Sequence, residues 1–307
     1  MLAALTTDAL VLIDPPTLKK APTSIPTTCS FSSQPTACAW APDHSCLFVS
    51  LGNTIEKYDL NGTLLDTIYS GPSPLTTLVS KDKGNTLILG AGTQVIVLET
   101  QTGKVPQSFK SHKLPVLALS LSNDSSLLAS ISVSTVHVHN LSLASHTVLR
   151  GLPSGEVTAC AFHPHTRTRL LLGIGLQLAV YDTTRPSGPS KTIVIEKGAG
   201  QIVAIACSPF SKTLVAVAYS GGNVSLVDLE KDKGLFRTLS LHVPLTSLVF
   251  SPEGAALYAG TENGNVLTLD LRALDKPPKT ISVSEDCQKV VYMAIQVRFQ
   301  GLRARSL

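Results

Sequence analysis

Short apolar segments recur along this chain in pairs, with a turn inside each pair and an acidic or amide residue where the second segment ends. Runs this short, bounded by Gly, Pro, Asn, Asp or Ser, are typical of β-strands. The residues that end the second strands follow one another at intervals of 40–46 residues. They are Asp14, Asp59, Glu99, Asn140, Asp182, Asp228 and Asp270.

This repeat predicts a ring of four-stranded sheets. A period of about 40–45 residues with four strands in each unit is the spacing of a WD-type β-propeller. Seven marks therefore predict an all-β, seven-bladed propeller, whose strands we call a to d within each blade. Strand b carries small residues, which we expect near the propeller axis, where sheets converge. These are Ala129, Gly173, Ala216 and Gly260.

The two ends of the chain are predicted to share one blade. Residues 1–8 match strand b and residues 9–16 match strand c, so the first blade lacks its own strand a. The segment 289–297 matches strand a, and we expect it to pair beside the N-terminal strands and close the ring. The chain is therefore interpreted as a single propeller over 1–297, followed by a basic, disordered tail over 298–307.

Composition and charge narrow the classes of partner. Charged residues make up 15% of the chain, against about 25% in typical globular proteins. Beyond Asp286 there are four basic residues and no acids, and these account for the net charge of +4. The propeller body is therefore neutral, and we predict no nucleic-acid partner.

Cysteine usage and hydropathy indicate a reducing cytoplasmic or nuclear setting. The six cysteines include no C-x-x-C pair, and residues 1–16 lack the basic start of a signal peptide. No apolar run reaches 18 residues, so no membrane-spanning helix or membrane partner is expected.

The sequence predicts no enzyme, no cofactor and no metal site. The acidic marks fall at equivalent places in separate blades, so Asp59, Asp182, Asp228 and Asp270 are interpreted as structural turn residues. His137 and His139 lie two apart on one strand, but a third metal ligand is missing, so the pair more simply covers a sheet face. No phosphate-binding glycine motif and no G-x-S-x-G sequence is present.

One blade carries a candidate protein-binding rim. We hypothesise that Lys110, His112, Lys113 and Arg150 form a modest basic rim at its edges. His112 precedes strand a, where WD repeats often tie a histidine to an aspartate in the b–c turn. That turn here is SVST, without an aspartate, so the tie is predicted to be absent. His163 and His165 are expected to be exposed.

The segment 244–283 is more specific than a generic repeat. It opens with PLT, continues through PEGA and through GNV to LDLRAL, and ends with PPKTIS. In these features it resembles the last full blade of the GCP-WD family, WD-repeat proteins that attach the γ-tubulin ring complex to centrosomes and spindle microtubules. Segment 108–141 is similar to that family's blade opening, and the resemblance follows the ring in order.

This resemblance implies a non-catalytic adaptor in γ-tubulin-dependent microtubule nucleation, located in the cytoplasm at the microtubule-organising centre or spindle pole. Family members carry a long helical γ-tubulin-binding region after the propeller, whereas this chain reaches Leu307 without a helical pattern. We therefore expect the propeller part to supply targeting. The alternatives are a WD scaffold for ribosome assembly or ubiquitin ligation and, from another class, a propeller hydrolase or lactonase.

Overall fold

Seven four-stranded antiparallel sheets stand around a common axis in a computed structural model of the protein, which confirms the predicted seven-bladed β-propeller. The structure describes residues 1–194 and 200–296. Within these ranges no helix combines the length and the apolar character needed to cross a bilayer. The predicted tail over 298–307, together with residue 297, lies outside the described residues.

The strands follow one another as antiparallel meanders with short turns. The first elements are β1 (Leu2–Thr6), β2 (Ala9–Ile13), helix α1 (Pro15–Lys20) and β3 (Cys29–Ser30). Blades two and three are β4 (Pro35–Trp40), β5 (Leu47–Leu51), β6 (Thr54–Tyr58), β7 (Leu64–Ser70), β8 (Leu75–Lys81), β9 (Thr86–Ala91), β10 (Gln94–Glu99) and β11 (Gln107–Phe109).

The remaining blades repeat the same order of elements. Blades four and five are β12 (Ala118–Leu121), β13 (Leu127–Ile131), β14 (Val136–Asn140), β15 (Ser145–Val148), β16 (Val157–Phe162), β17 (Arg169–Ile174), β18 (Gln177–Asp182) and β19 (Lys191–Val194). Blades six and seven are β20 (Ile202–Cys207), β21 (Leu214–Tyr219), β22 (Asn223–Asp228), β23 (Leu235–Ser240), β24 (Leu245–Phe250), β25 (Ala256–Thr261), β26 (Asn265–Asp270) and β27 (Lys279–Ser282). The last strand is β28 (Val290–Ile295).

Blade one joins the two ends of the chain, as predicted. Its strand order is β28-β1-β2-β3, and β28 runs antiparallel to β1 with Leu2 opposite Ile295. The backbone N–H of Gln296 also donates to the Met1 carbonyl at 2.9 Å. The C-terminal strand is thus the innermost strand of the first blade.

The axis is lined by strand a of each blade, and not by strand b as the small residues suggested. Each blade's first strand packs against the first strand of its neighbours, and strand b is second from the axis. The small residues serve contacts between blades: a Cβ on Gly173 would lie 2.5 Å from Ile202 Cγ2, on the first strand of the next blade. The small residues do allow close approach, as expected, but the approach is between neighbouring blades, and its prediction at the axis was wrong.

Threonine side chains connect neighbouring blades near the start of strand a. The Thr36, Thr76 and Thr158 hydroxyls each donate to a backbone carbonyl at the start of the next blade, at 3.0, 2.6 and 2.6 Å. In blade four the matching position is Leu117, which cannot make this bond. Blade four therefore presents an apolar side chain where three other blades present a bonded hydroxyl.

The segment after β2 fastens blade one to blade seven. Asp14 caps α1 by accepting a bond from the Thr17 N–H at 2.7 Å, and Leu18 packs into the core between the two blades. Farther on, the Ile25 N–H donates to the Ser282 carbonyl at 3.0 Å, beside β27. This strap adds backbone pairing outside the sheets to the closure made by β28.

Removing β28 tests the closure. A chain ending at residue 286 leaves β1 without its partner and exposes the inner edge of blade one, so we expect aggregation and loss of a cooperative thermal transition. A chain ending at Gln296 keeps every residue of β28 and is the matched control. If the shorter chain melts at the same temperature as the control, the closure does not support the ring.

The packing between blades predicts the effect of a single methyl group. Gly173→Ala places a Cβ against Ile202, and we expect a loss of about 1–3 kcal/mol in the free energy of unfolding through overpacking. Gly188→Ala is the control, because no heavy atom lies within 4 Å of its Cβ position. Urea unfolding of both variants measures the difference, and equal stability would show that the blades have room to separate.

Candidate functional site

A buried polar network joins the connection into blade four to the turn between its strands b and c. His112 is only 7% exposed. Its Nδ1 lies 3.1 Å from Thr135 Oγ1, and its Nε2 lies 2.8 Å from Ser130 Oγ. The predicted absence of a tie was therefore wrong: a threonine hydroxyl in the SVST turn takes the place of the aspartate. A hydroxyl at that turn, with another in strand b, is the sequence signal that could have indicated it.

The network continues to a second imidazole and suggests its tautomers. Ser130 Oγ also lies 2.8 Å from His139 Nε2, while His139 Nδ1 is buried without a hydrogen-bond partner. Placing the proton on Nε2 leaves only a lone pair unsatisfied at Nδ1, and not a buried N–H donor. His139 then donates to Ser130, Ser130 donates to His112, and His112 donates to Thr135.

Four imidazoles meet on this face of blade four. His137 lies 4.5 Å from His112, 6.1 Å from His139 and 5.1 Å from His146, measured between ring centroids. Phe109 of blade three packs on His139 at 4.5 Å. His137 and His139 thus cover a sheet face, and that face packs against the end of blade three.

Burial keeps three of these rings neutral. Desolvation, together with a smaller effect of neighbouring imidazoles, lowers the pKa of His112 and of His137 to about 4 and that of His139 to about 3. Among residues 1–194 and 200–296, no three His, Cys, Asp or Glu side chains are arranged to hold a metal ion. Both ring nitrogens of His112 are already engaged, so the cluster is interpreted as packing.

The residues of the hypothesised basic rim do not all reach the surface. Lys110, Lys113 and Arg150 are exposed, but His112 is buried and cannot contact a partner. The reason is the hydroxyl network, which draws the imidazole under the loop while the lysines on either side point out. His163 is buried as well, contrary to expectation, whereas His165 is exposed.

The aspartates at the ends of strand c bond the turns that follow them. Asp59 accepts from the backbone N–H groups of Asn61 and Thr63 at 2.8 and 2.7 Å. Asp182, Asp228 and Asp270 each accept from the backbone N–H two residues later, at 3.0–3.1 Å. Backbone donors thus occupy these carboxylates in four different blades.

The axis-lining strands offer no constellation for hydrolysis. Within the described part of the chain, β4, β8, β12, β16, β20, β24 and β28 contain no carboxylate and no histidine. A lactonase or hydrolase site at the axis would need such groups or a metal bound by them. What the blades present instead is loops on two faces, one of which carries the exposed Lys110, Lys113 and Arg150.

Comparison with known proteins finds a partial relative. A segment of 78 residues, 25% of this chain, is 37% identical to Protein NEDD1 of Bos taurus, Mus musculus and Homo sapiens. It spans only 12% of the length of those relatives. No family model matches the chain. NEDD1 is the GCP-WD protein, and this partial similarity together with the seven-bladed propeller supports a WD-repeat protein.

The imidazole cluster predicts acid sensitivity. In the folded protein the pKa values of these histidines lie below the ordinary 6.5. Their contribution to the free energy of unfolding is therefore fully present above pH 6.5 and is lost as the pH falls toward 4. At pH 5 we expect a loss of about 2 kcal/mol for each such histidine.

His139→Leu, which copies Leu98 at the matching place in blade three, should remove part of this loss. Urea unfolding at pH 7.5 and pH 5 measures it. His165→Leu is the control, because that side chain is exposed. An unchanged pH dependence in His139→Leu would contradict the assignment.

Proposed function

We propose that this protein is a non-catalytic WD-propeller adaptor in γ-tubulin-dependent microtubule nucleation, acting at the centrosome or spindle pole. The observation that carries the proposal is the 37% identity to NEDD1 over 78 residues, together with the family-like segment 244–283. The propeller itself supports the coarser part, a scaffold that binds other proteins.

The mechanism follows from the rigidity of a closed ring. Paired strands hold the connections of each blade in place, so a partner that binds them loses less freedom on association. The proposed adaptor presents two such faces, which allows one face to hold a nucleation complex while the other holds a spindle component. The axis-lining strands, which carry no carboxylate or histidine within the described residues, support the absence of catalysis.

The proposal predicts a specific set of partners. We expect tagged protein, purified from mitotic extract and examined by mass spectrometry, to enrich subunits of the γ-tubulin complex. The chain ending at residue 286, with its ring opened, is the matched control and should lose them. Enrichment of ribosome-assembly factors or of ubiquitin-ligase subunits in their place would replace the proposal with the corresponding scaffold.

A further inference from the structure

The loop that enters blade four is basic over a long stretch. Between β11 and β12 this loop has two lysines and no acidic residue. Lys110 and Lys113 are exposed there, as is Arg150 on the next connection. Across the described residues, none of these three side chains forms an ion pair. Their charge is therefore available to a partner.

Three contacts position Lys113 and Arg150. The bond between His112 and Thr135 fixes Lys113, the next residue, beside the b–c turn of blade four. The Leu149 N–H donates to the Val136 carbonyl at 3.0 Å, and Arg150 donates its own backbone N–H to the Pro186 carbonyl of blade five at 2.7 Å. Arg150 therefore lies where blade four meets blade five, with Lys113 beside the turn of blade four.

Apolar side chains lie in the same loop. Leu114 is 43% exposed and Leu117 is 41% exposed. Leu117 occupies the position at which three other blades have a threonine bonded to the next blade. Exposed leucines next to unpaired lysines form an amphipathic surface, and such a surface favours a ligand that offers apolar and negative groups together.

The opposite side of this face carries the opposite charge. The connection from blade seven to blade one holds the exposed Glu285 and Asp286, and Lys289 in that connection pairs with Glu262 at 3.4 Å. In a ring of seven blades this connection lies across the axis from blade four. A negatively charged ligand is thus repelled on one side and attracted to the other, which favours one docking position.

We propose that the blade-four surface, formed by Lys110, Lys113, Leu114, Leu117 and Arg150, binds an acidic protein segment that carries leucine-like side chains. This inference rests on the proposed adaptor function and names the chemistry of one partner. The charges select and orient the segment, and the two leucines remove its apolar side chains from water.

A defined peptide tests the proposal without knowledge of the partner. The probe is a fluorescein-labelled peptide of twelve residues, made of glutamate and aspartate with two leucines four positions apart. Fluorescence anisotropy should show saturable binding that weakens as NaCl rises. Lys110→Glu/Lys113→Glu/Arg150→Glu should bind it at least tenfold more weakly. Leu117→Ser should bind it severalfold more weakly.

Control variants separate this surface from general charge effects. Lys83→Glu/Lys104→Glu/Lys212→Glu reverses three exposed lysines on the opposite face and should bind as the wild type does. A probe with serine in place of leucine should bind more weakly, and one with glutamine and asparagine in place of the acids should not bind. Thermal melting confirms that each variant is folded. Equal losses in both triple variants, or none in either, would overturn the proposal.

A second copy of this chain is the competing occupant, because Glu285 and Asp286 could meet the blade-four surface of another molecule. Sedimentation equilibrium distinguishes the two: a wild-type dimer that the Lys110→Glu/Lys113→Glu/Arg150→Glu variant loses would overturn the acidic-partner proposal. The peptide assay uses no microtubule component. If the peptide does not bind but the γ-tubulin complex is recovered from extract, only the proposed surface is refuted. If the peptide binds but the complex is not recovered, only the proposed function is refuted.

Discussion

The ring depends on one non-covalent pairing, that of β28 with β1. Every blade packs its innermost strand against its neighbours, so a blade without that strand leaves both adjacent blades uncovered. Blade one obtains its innermost strand from the far end of the chain. The Trp40 indole N–H secures this strand from blade two by donating to the Ala294 carbonyl at 3.1 Å. The contacts of β28 therefore join the two ends of the chain and also join blade one to blade two.

Blade four departs from its neighbours in a way that shapes the surface. Where blades three and five have Leu98 and Tyr181 in strand c, it has His139, and Ser130 links the Nε2 of this imidazole to that of His112. That network draws His112 inward and fixes the loop around it. Lys110 and Lys113 are consequently exposed on a loop that the buried network holds in place. The histidines in the core of blade four therefore determine where these lysines lie on its surface.

Much of the fold could be predicted because the same kinds of turn-forming residue recur in each repeat. Aspartate or asparagine at the end of strand c accepts bonds from the backbone N–H groups that follow in six blades, and in blade three Glu99 accepts from the Thr102 hydroxyl. The expectations that failed concerned contacts between elements. At His112 a threonine hydroxyl, and not an aspartate, occupies the turn and bonds the imidazole. The small residues of strand b face the next blade and not the axis.

The sequence by itself determined the number of blades, the sharing of blade one by both chain ends and the resemblance of segment 244–283 to the GCP-WD family, because each follows from residues close together or from a fixed spacing. Only the tertiary structure decided which side chains of blade four are buried and which are displayed. Lys110, His112 and Lys113 look alike as a basic run. Their separation depends on Thr135 and Ser130, more than fifteen residues away in sequence but within hydrogen-bond reach of one imidazole.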